Sequence, residues 1–331
     1  MNYLGEQLDA LNEYSKEGIC WLSIKIKGRY NNRKNPSGYK CDDLDCEICV
    51  SSNKRSGLDQ DFCNLFSLDE IKELIISKPG RLIELCDEKS SLYIGLGKSL
   101  NDFNNQASKL FVDSGYTDWF IKKKKNYELA KALDRHTCIY CNREYIFVYK
   151  RRNREKGKGM VPQFDHWLPK QDYPLLALSF YNLIPSCATC NTIKSVEKLN
   201  LNDHLHPYID VDISSTYSFS YSSLSATKNK IIFKNNSLYN SKGIDTLNKL
   251  NLELIYEGHS NKELQDLIDL RYKYSTNYLN KLLEETFPDL QISKEERYRL
   301  IFGIEIDKDN YHNRIFSKFK SDIINELLSV K

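Results

Sequence analysis

Cys138-Ile139-Tyr140-Cys141 and Cys187-Ala188-Thr189-Cys190-Asn191-Thr192-Ile193-Lys194-Ser195 bracket the stretch Thr137–Ser195, on which the reading of this chain turns. Between the two Cys pairs lie Phe164-Asp165-His166-Trp167-Leu168-Pro169-Lys170 and Phe180-Tyr181-Asn182-Leu183-Ile184-Pro185-Ser186. Two CxxC pairs with 45 residues between them supply four thiolates. Four thiolates close a tetrahedral zinc site and leave no coordination position open for chemistry. Cys138, Cys141, Cys187 and Cys190 are therefore expected to hold a structural Zn²⁺, as a clip joining two short strands and a helix start. What the clip would present is Asp165, His166, Asn182 and Asn191.

The order CxxC, then DHxxP, then NLxxxCxxCNxxK resembles the HNH nucleases of the ββα-metal superfamily. The longer wording, FDHWLPK followed by YPLLALSFYNLIPSC, is similar to a narrower group, the HNH subunits of Septu-like and retron-linked anti-phage systems. The resemblance runs from about Asp134 to Asp210. It implies an α+β fold, with a zinc-clipped ββα-metal HNH core embedded in mainly helical N- and C-terminal extensions. The expected division is a helical extension with a Cys-rich loop over 1–130, the nuclease core over 131–210, and a strand pair with further helices over 211–331. The narrower resemblance also implies a partner ATPase that activates or restrains the nuclease.

Phosphodiester hydrolysis needs an activated water, neutralisation of charge on the phosphate and help for the leaving oxygen. His166 suits the role of general base, because an unperturbed imidazole with a pKa of about 6.5 is largely neutral at pH 7. The plainer reading is a buried structural histidine. Asp165 offers the hard oxygen that Mg²⁺ prefers, and Asn191, directly after the last Cys, offers an amide oxygen. The pair resembles the metal ligands of HNH enzymes whose final His is replaced by Asn. Mg²⁺ is the expected catalytic ion, with Mn²⁺ as an alternative. Without a metal, each is a turn or cap residue. By resemblance, Asn182 organises the loop after His166 through hydrogen bonds to backbone; otherwise it is an ordinary Asn at a strand start. Lys194 either contacts phosphate or faces solvent. His204 and His206 are near enough in sequence to approach the site but are not assigned to it.

Pro185-Ser186-Cys187-Ala188-Thr189-Cys190 also matches half of the zinc deaminase pattern. Those enzymes need a Glu two residues after the ligating His. The chain reads Asp165-His166-Trp167-Leu168 there, so deamination is excluded.

Length and composition fit this picture. A chain of 331 residues holds two domains, or one with large extensions, and is long enough to bury a core. Net charge is only +3, but residues 121–170 carry 14 Lys/Arg against 5 Asp/Glu. A basic block beside a nuclease motif is the footprint expected for phosphates. No signal peptide and no apolar run of membrane-spanning length is read. Ten Cys without an export signal point to reduced thiols and metal binding in the cytoplasm.

Trp21–Lys27 alternates apolar and polar residues, which predicts a strand. Cys41, Cys46 and Cys49 either sit unligated in a loop or form part of a second zinc site with Cys63 or Cys20 as the fourth ligand. Ser67 with Glu70 predicts a capped helix ended by Pro79-Gly80. Helices follow over about 99–113, stopped by Gly115, and over 117–133, carrying Lys122–Lys125. Tyr145–Tyr149 and Met160–Trp167 are expected strands joined by the basic tip Lys150–Gly159. Tyr217–Tyr221 and Lys230–Lys234 are expected to pair. Helices capped at Ser260 and Ser293 come next, the first reaching about Glu285. A last helix has Ile315, Phe316, Phe319, Ile323 and Leu327 on one face and is the best candidate for a partner contact.

The reading is a metal-dependent HNH endonuclease acting on nucleic acid, DNA before RNA such as tRNA, in anti-phage defence. A zinc-stabilised nucleic-acid-binding module without chemistry is the alternative from another class.

Overall fold

Helix α1 (Leu8–Lys27) buries Ala10, Tyr14, Gly18, Trp21, Leu22 and Ile24. It includes the segment Trp21–Lys27 expected as a strand. Its last two turns are buried on nearly all sides, so the local alternation of Ile and Lys carried no helical period. The spacing of Tyr14, Gly18 and Trp21 upstream does. Gly28 ends the helix at φ 74°, its N–H donating to the Ile24 carbonyl at 2.8 Å.

The computed structural model describes residues 1–43, 46–149, 161–195, 197–225, 228–237, 241–273, 278, 281 and 293–329. The chain forms two units interleaved in sequence. One is Glu6–Asp134 with Phe164–Ile184; the other is Met1–Gly5, Arg135–Gln163 and Pro185–Lys331. Both draw on the segment 131–210.

The first unit is helical. After α1 come two short helices, α2 (Glu47–Ser51) and α3 (Gln60–Asn64), then α4 (Leu68–Ile76) and α5 (Pro79–Gly95). Ser67 and Glu70 form the expected capping box at the start of α4. That helix ends at Ile76, before Pro79-Gly80, as expected. Pro79 opens α5 at the first helical position, where its fixed φ fits and its missing N–H costs nothing.

Helix α6 (Leu100–Ala107) runs directly into a π-helical stretch, Ser108–Lys122. Gly115 therefore lies inside an element it was expected to stop. Each π turn takes in more residues than an α turn. Phe111, Gly115 and Trp119 are all buried in this stretch. Gly115 serves close approach: a Cβ there would stand 2.7 Å from Leu178 Cδ1. The chain then turns at Lys124, φ 64°, and helix α7 (Lys125–Leu133) follows. Of the lysine run, Lys122 pairs with Asp118 at 2.7 Å, and Lys125 with Glu17 at 2.5 Å and Glu128 at 2.8 Å.

The segment Phe164–Ile184 is embedded among these helices. Tyr14 donates its hydroxyl to the Leu178 carbonyl at 2.7 Å, and Ser179 donates to the Leu74 carbonyl at 2.5 Å. Trp21 stacks on Trp119 at 5.4 Å, and Phe120 meets Phe164 edge-on at 5.4 Å. Strands β1 (Gln163–His166) and β2 (Leu183–Ser186) form a two-stranded sheet. The segment Tyr145–Tyr149, expected as a strand, carries isolated bridge positions at Tyr145, paired with Thr137, and at Tyr149. The basic tip Lys150–Gly159 lies outside the described residues.

In the second unit, β2 leads through Cys187 into α8 (Ala188–Lys194). After the short α9 (Ile213–Thr216), strands β3 (Tyr217–Ser225) and β4 (Lys228–Asn235) pair antiparallel as expected, with Phe219 opposite Phe233. Then follow α10 (Lys242–Lys249), α11 (Leu252–Glu257), α12 (Gln265–Lys273), α13 (Lys294–Phe302) and α14 (Ser317–Ser329). The extension of the Ser260 helix to Glu285 runs largely beyond the described residues. Ser293 caps α13 by accepting from Glu296 N at 3.1 Å.

Helix α14 packs on β3. Phe319 meets Phe219 edge-on at 5.3 Å, and Asp322 accepts from Phe219 N at 2.9 Å. The apolar stripe of Phe319, Ile323 and Leu327 is thus core of this unit and not a partner surface. Among the described residues, no helix is long and apolar enough to cross a membrane.

Candidate metal centres and active-site residues

In the second unit, Cys138, Cys141, Cys187 and Cys190 are all buried, with their four Sγ atoms within 4.8 Å of one another. All are free thiols. A tetrahedron of sulfurs around Zn²⁺ at about 2.3 Å has edges of about 3.8 Å. The Cys141–Cys187 sulfur separation is 3.9 Å. Two backbone N–H groups already point at sulfur: Arg143 N to Cys141 and Cys190 N to Cys187, each at 3.4 Å. Cys187 is also the N-cap of α8. The first knuckle turns at Asn142, φ 51°. Its Nδ2 donates to Thr137 Oγ1 at 2.9 Å and to the Tyr311 and Arg314 carbonyls at 2.8 and 3.1 Å.

The four thiols compete for charge. Burial pushes Cys138 up, while hydrogen bonds from Cys138, Cys187 and Cys190 hold Cys141 down. A buried, unpaired thiolate is costly, and four together are tolerated only around a cation. The residues present fit zinc.

A second group of four sulfurs lies in the first unit. Cys20 of α1 stands with Cys41, Cys46 and Cys49, again within 4.8 Å of one another. Of the two fourth ligands considered from sequence, the structure brings in Cys20. Cys63 is buried in α3, apart from the group.

Asp165, His166 and Asn182 fall in the first unit, and all three are buried. His166 Nε2 lies 3.0 Å from the Ala177 carbonyl oxygen. A carbonyl only accepts, so the ring proton sits on Nε2 and the lone pair of a neutral imidazole on Nδ1. Asn182 makes three hydrogen bonds to backbone. Its Oδ1 accepts from Leu168 N at 2.7 Å, and its Nδ2 donates to the Leu168 and Leu176 carbonyls, each at 3.1 Å. These bonds fix the segment that follows His166 and carries Lys170.

Two residues beside His166 were not singled out from sequence. Tyr116, from the π-helical stretch, meets the imidazole edge-on at 4.5 Å and donates its hydroxyl to the Phe164 carbonyl at 3.0 Å. Burial, and then the Asp165 carboxylate, push its phenol up. Lys170 Nζ lies 4.6 Å from the centre of the Tyr116 ring, and burial lowers its pKa. Tyr116 is remote from the motif in sequence and carried no signal. Lys170 stood inside FDHWLPK without an assigned role.

Asn191 lies in α8 of the second unit and donates from Nδ2 to Gln163 Oε1 at 2.6 Å. Lys194 is fully buried, so neither a solvent-facing nor an open phosphate-contact position describes it. His204 and His206 are buried in the same unit. Each accepts at Nδ1 from a nearby backbone N–H, of Asn200 at 3.1 Å and of Tyr208 at 3.2 Å, which ties them to local turns.

No protein-family model and no solved structure matches the chain. The chain is 29% identical over 121 residues to the Septu protein PtuB of Bacillus thuringiensis, covering 35% of this chain and 42% of that protein. It is 27% identical over 149 residues to protein ea31 of Escherichia phage lambda, covering 40% of this chain and 48% of that protein. The matched part spans less than half the length of each relative.

Proposed function

We propose that this chain is a metal-dependent HNH endonuclease that hydrolyses phosphodiester bonds in nucleic acid, DNA in the first place, as the effector of an anti-phage defence system. The observation that carries this reading is the His166 imidazole, held by the Ala177 carbonyl in the tautomer a general base needs, with Asp165 beside it in β1. The similarity to a Septu protein supports the defence setting. An ATPase partner belongs to the same proposal.

In this reading His166 Nδ1 takes the proton of the attacking water. Asn182 keeps the following segment in place through its three backbone bonds. The oxygens of Asp165 and Asn191 are the donors suited to a hard cation. Mg²⁺ or Mn²⁺, if bound, would supply charge neutralisation at the phosphate and the leaving oxygen. The four buried cysteines keep zinc out of the chemistry, because a closed tetrahedral shell has no open position.

The test is His166→Ala, assayed on matched DNA and RNA pools with Mg²⁺. Cleavage should vanish while zinc content stays unchanged and the chain remains folded, with an unfolding midpoint lowered by the lost packing and the lost bond to the Ala177 carbonyl. An unchanged cleavage rate would falsify the assignment, and the pool that is cut identifies the polymer. EDTA should stop cleavage well before it strips zinc.

A further inference from the structure

We propose that Cys20, Cys41, Cys46 and Cys49 form a second mononuclear tetrathiolate zinc site, which exchanges its metal faster than the site built on Cys138–Cys190. The proposal does not depend on the nuclease reading.

The first support is geometric. All four sulfurs lie within 4.8 Å of one another, and Cys20 and Cys41 are 3.6 Å apart, close to the edge of a zinc tetrahedron of about 3.8 Å. The second support is the scarcity of apolar burial in the segment that carries three of the sulfurs. Cys46 and Cys49 belong to the start of α2, a five-residue helix with no buried residue. A helix of one turn does not persist on its own. The chain from Gly28 to Cys41 has no helix or strand, only the bridges Arg29 to Tyr39 and Asn31 to Asn35, and it is held by polar contacts such as Arg29 Nε to the Ser52 carbonyl at 2.8 Å, with little apolar burial of its own. A metal joining this segment to Cys20 of α1 supplies the binding energy that an apolar core would otherwise give. The Asp43 N–H donates to the Cys41 sulfur, the same kind of bond seen twice at the first cluster.

Spacing alone leaves the metal open. Cys41-x₄-Cys46-x₂-Cys49 is the run used for a two-iron, two-sulfide cluster in plant-type ferredoxins. Such a cluster divides its four thiolates between two irons, which holds the pairs well apart. Four sulfurs mutually within 4.8 Å surround a single ion. A redox-inert dication with a preference for four sulfurs fits that shell.

Burial sets the exchange rate. The sulfurs of the first cluster belong to residues no more than 4% exposed, whereas Cys41, Cys46 and Cys49 are only partly buried. A chelator can reach the second ion without opening the fold.

Native mass spectrometry of the full chain should count two zinc ions, and Cys46→Ser/Cys49→Ser should count one. Cys63→Ser, outside the group, should keep two. In a chelator competition the wild type should release zinc in two phases, the fast one missing from the double variant. A wild type holding one zinc that the double variant retains overturns the site. Iron in place of zinc overturns the metal, and a single slow phase overturns the difference in exchange. Should the double variant fail to fold, alkylation of the wild type decides. Cys41, Cys46 and Cys49 must resist iodoacetamide until a zinc chelator is added, and labelling at the same rate without it refutes the proposal.

Discussion

Tyr116 and His166 meet edge to face, with ring centroids 4.5 Å apart and planes inclined at 63°. A residue of the π-helical stretch thus sets one wall against the imidazole, while the Ala177 carbonyl fixes its proton. Tyr116→Phe keeps the ring and loses one hydrogen bond. It should cost about 1 kcal/mol in urea unfolding and leave cleavage nearly unchanged. Tyr116→Ala frees the imidazole to shift, and should lower cleavage about 10- to 100-fold. Equal activity of the two variants would show that the wall does not position His166.

Asn182 is a fully buried polar side chain of the first unit with three hydrogen bonds to backbone. Asn182→Ala leaves a buried N–H and two carbonyls without it. A loss of about 2–4 kcal/mol is expected, read as a lower urea midpoint. Asn182→Asp restores the acceptor but neither donor, and should recover only part of it.

Gly115 tests whether the π-helical stretch depends on close approach. The added methyl of Gly115→Ala would stand 2.7 Å from Leu178 Cδ1 and 3.2 Å from the Leu110 carbonyl oxygen. Overpacking of this kind costs about 1–3 kcal/mol. In the pair Gly115→Ala/Leu178→Ala the new methyl occupies space the leucine vacates. The double variant should therefore lose less than the sum of the two single changes. Strict additivity would mean the clash is relieved elsewhere.

Asp59 gives the first unit an acid limit. It caps α3 by accepting from Asp61 N at 3.0 Å, receives the Tyr93 hydroxyl at 2.7 Å and pairs with Lys98 at 3.2 Å. The Tyr93 hydrogen bond, with the Asp61 N–H and Lys98 adding to it, holds its carboxyl below the usual range. A depressed carboxyl stabilises the fold fully above its unfolded pKa of about 3.9, and the contribution fades as pH falls through the folded value. Tyr93→Phe should therefore cost about 1 kcal/mol at pH 7 and raise the pH of acid unfolding. Unchanged acid unfolding would remove Asp59 from the account.

Sequence reading succeeded where a local rule is sufficient. The capping boxes at Ser67 and the cap at Ser293 depend on three residues each, and the β3–β4 pair on a simple alternation. The two CxxC pairs were legible because ligand spacing is itself a geometric statement. It failed where burial overrides pattern. Trp21–Lys27 looks like a strand because a helix buried on nearly all sides shows no polar face. Gly115 looked like a stop because glycine commonly ends a helix, whereas here it leaves room for Leu178. Lys194 looked solvated, since nothing in one sequence marks a lysine that the fold encloses. Sequence left Cys20 and Cys63 as equal candidates for the fourth sulfur, and gave no sign of Tyr116; both were decided by contacts across long stretches of chain.

The four passages of the chain from one unit to the other, at Gly5–Glu6, Asp134–Arg135, Gln163–Phe164 and Ile184–Pro185, have a genetic consequence. Neither unit is a contiguous stretch of the gene, so neither can be lent intact to another protein by a single fusion. A message ending at Asp134 would specify the first unit without Phe164–Ile184, and so without the histidine and the asparagine that holds the segment after it. A single cut in the gene therefore separates neither unit whole from the other.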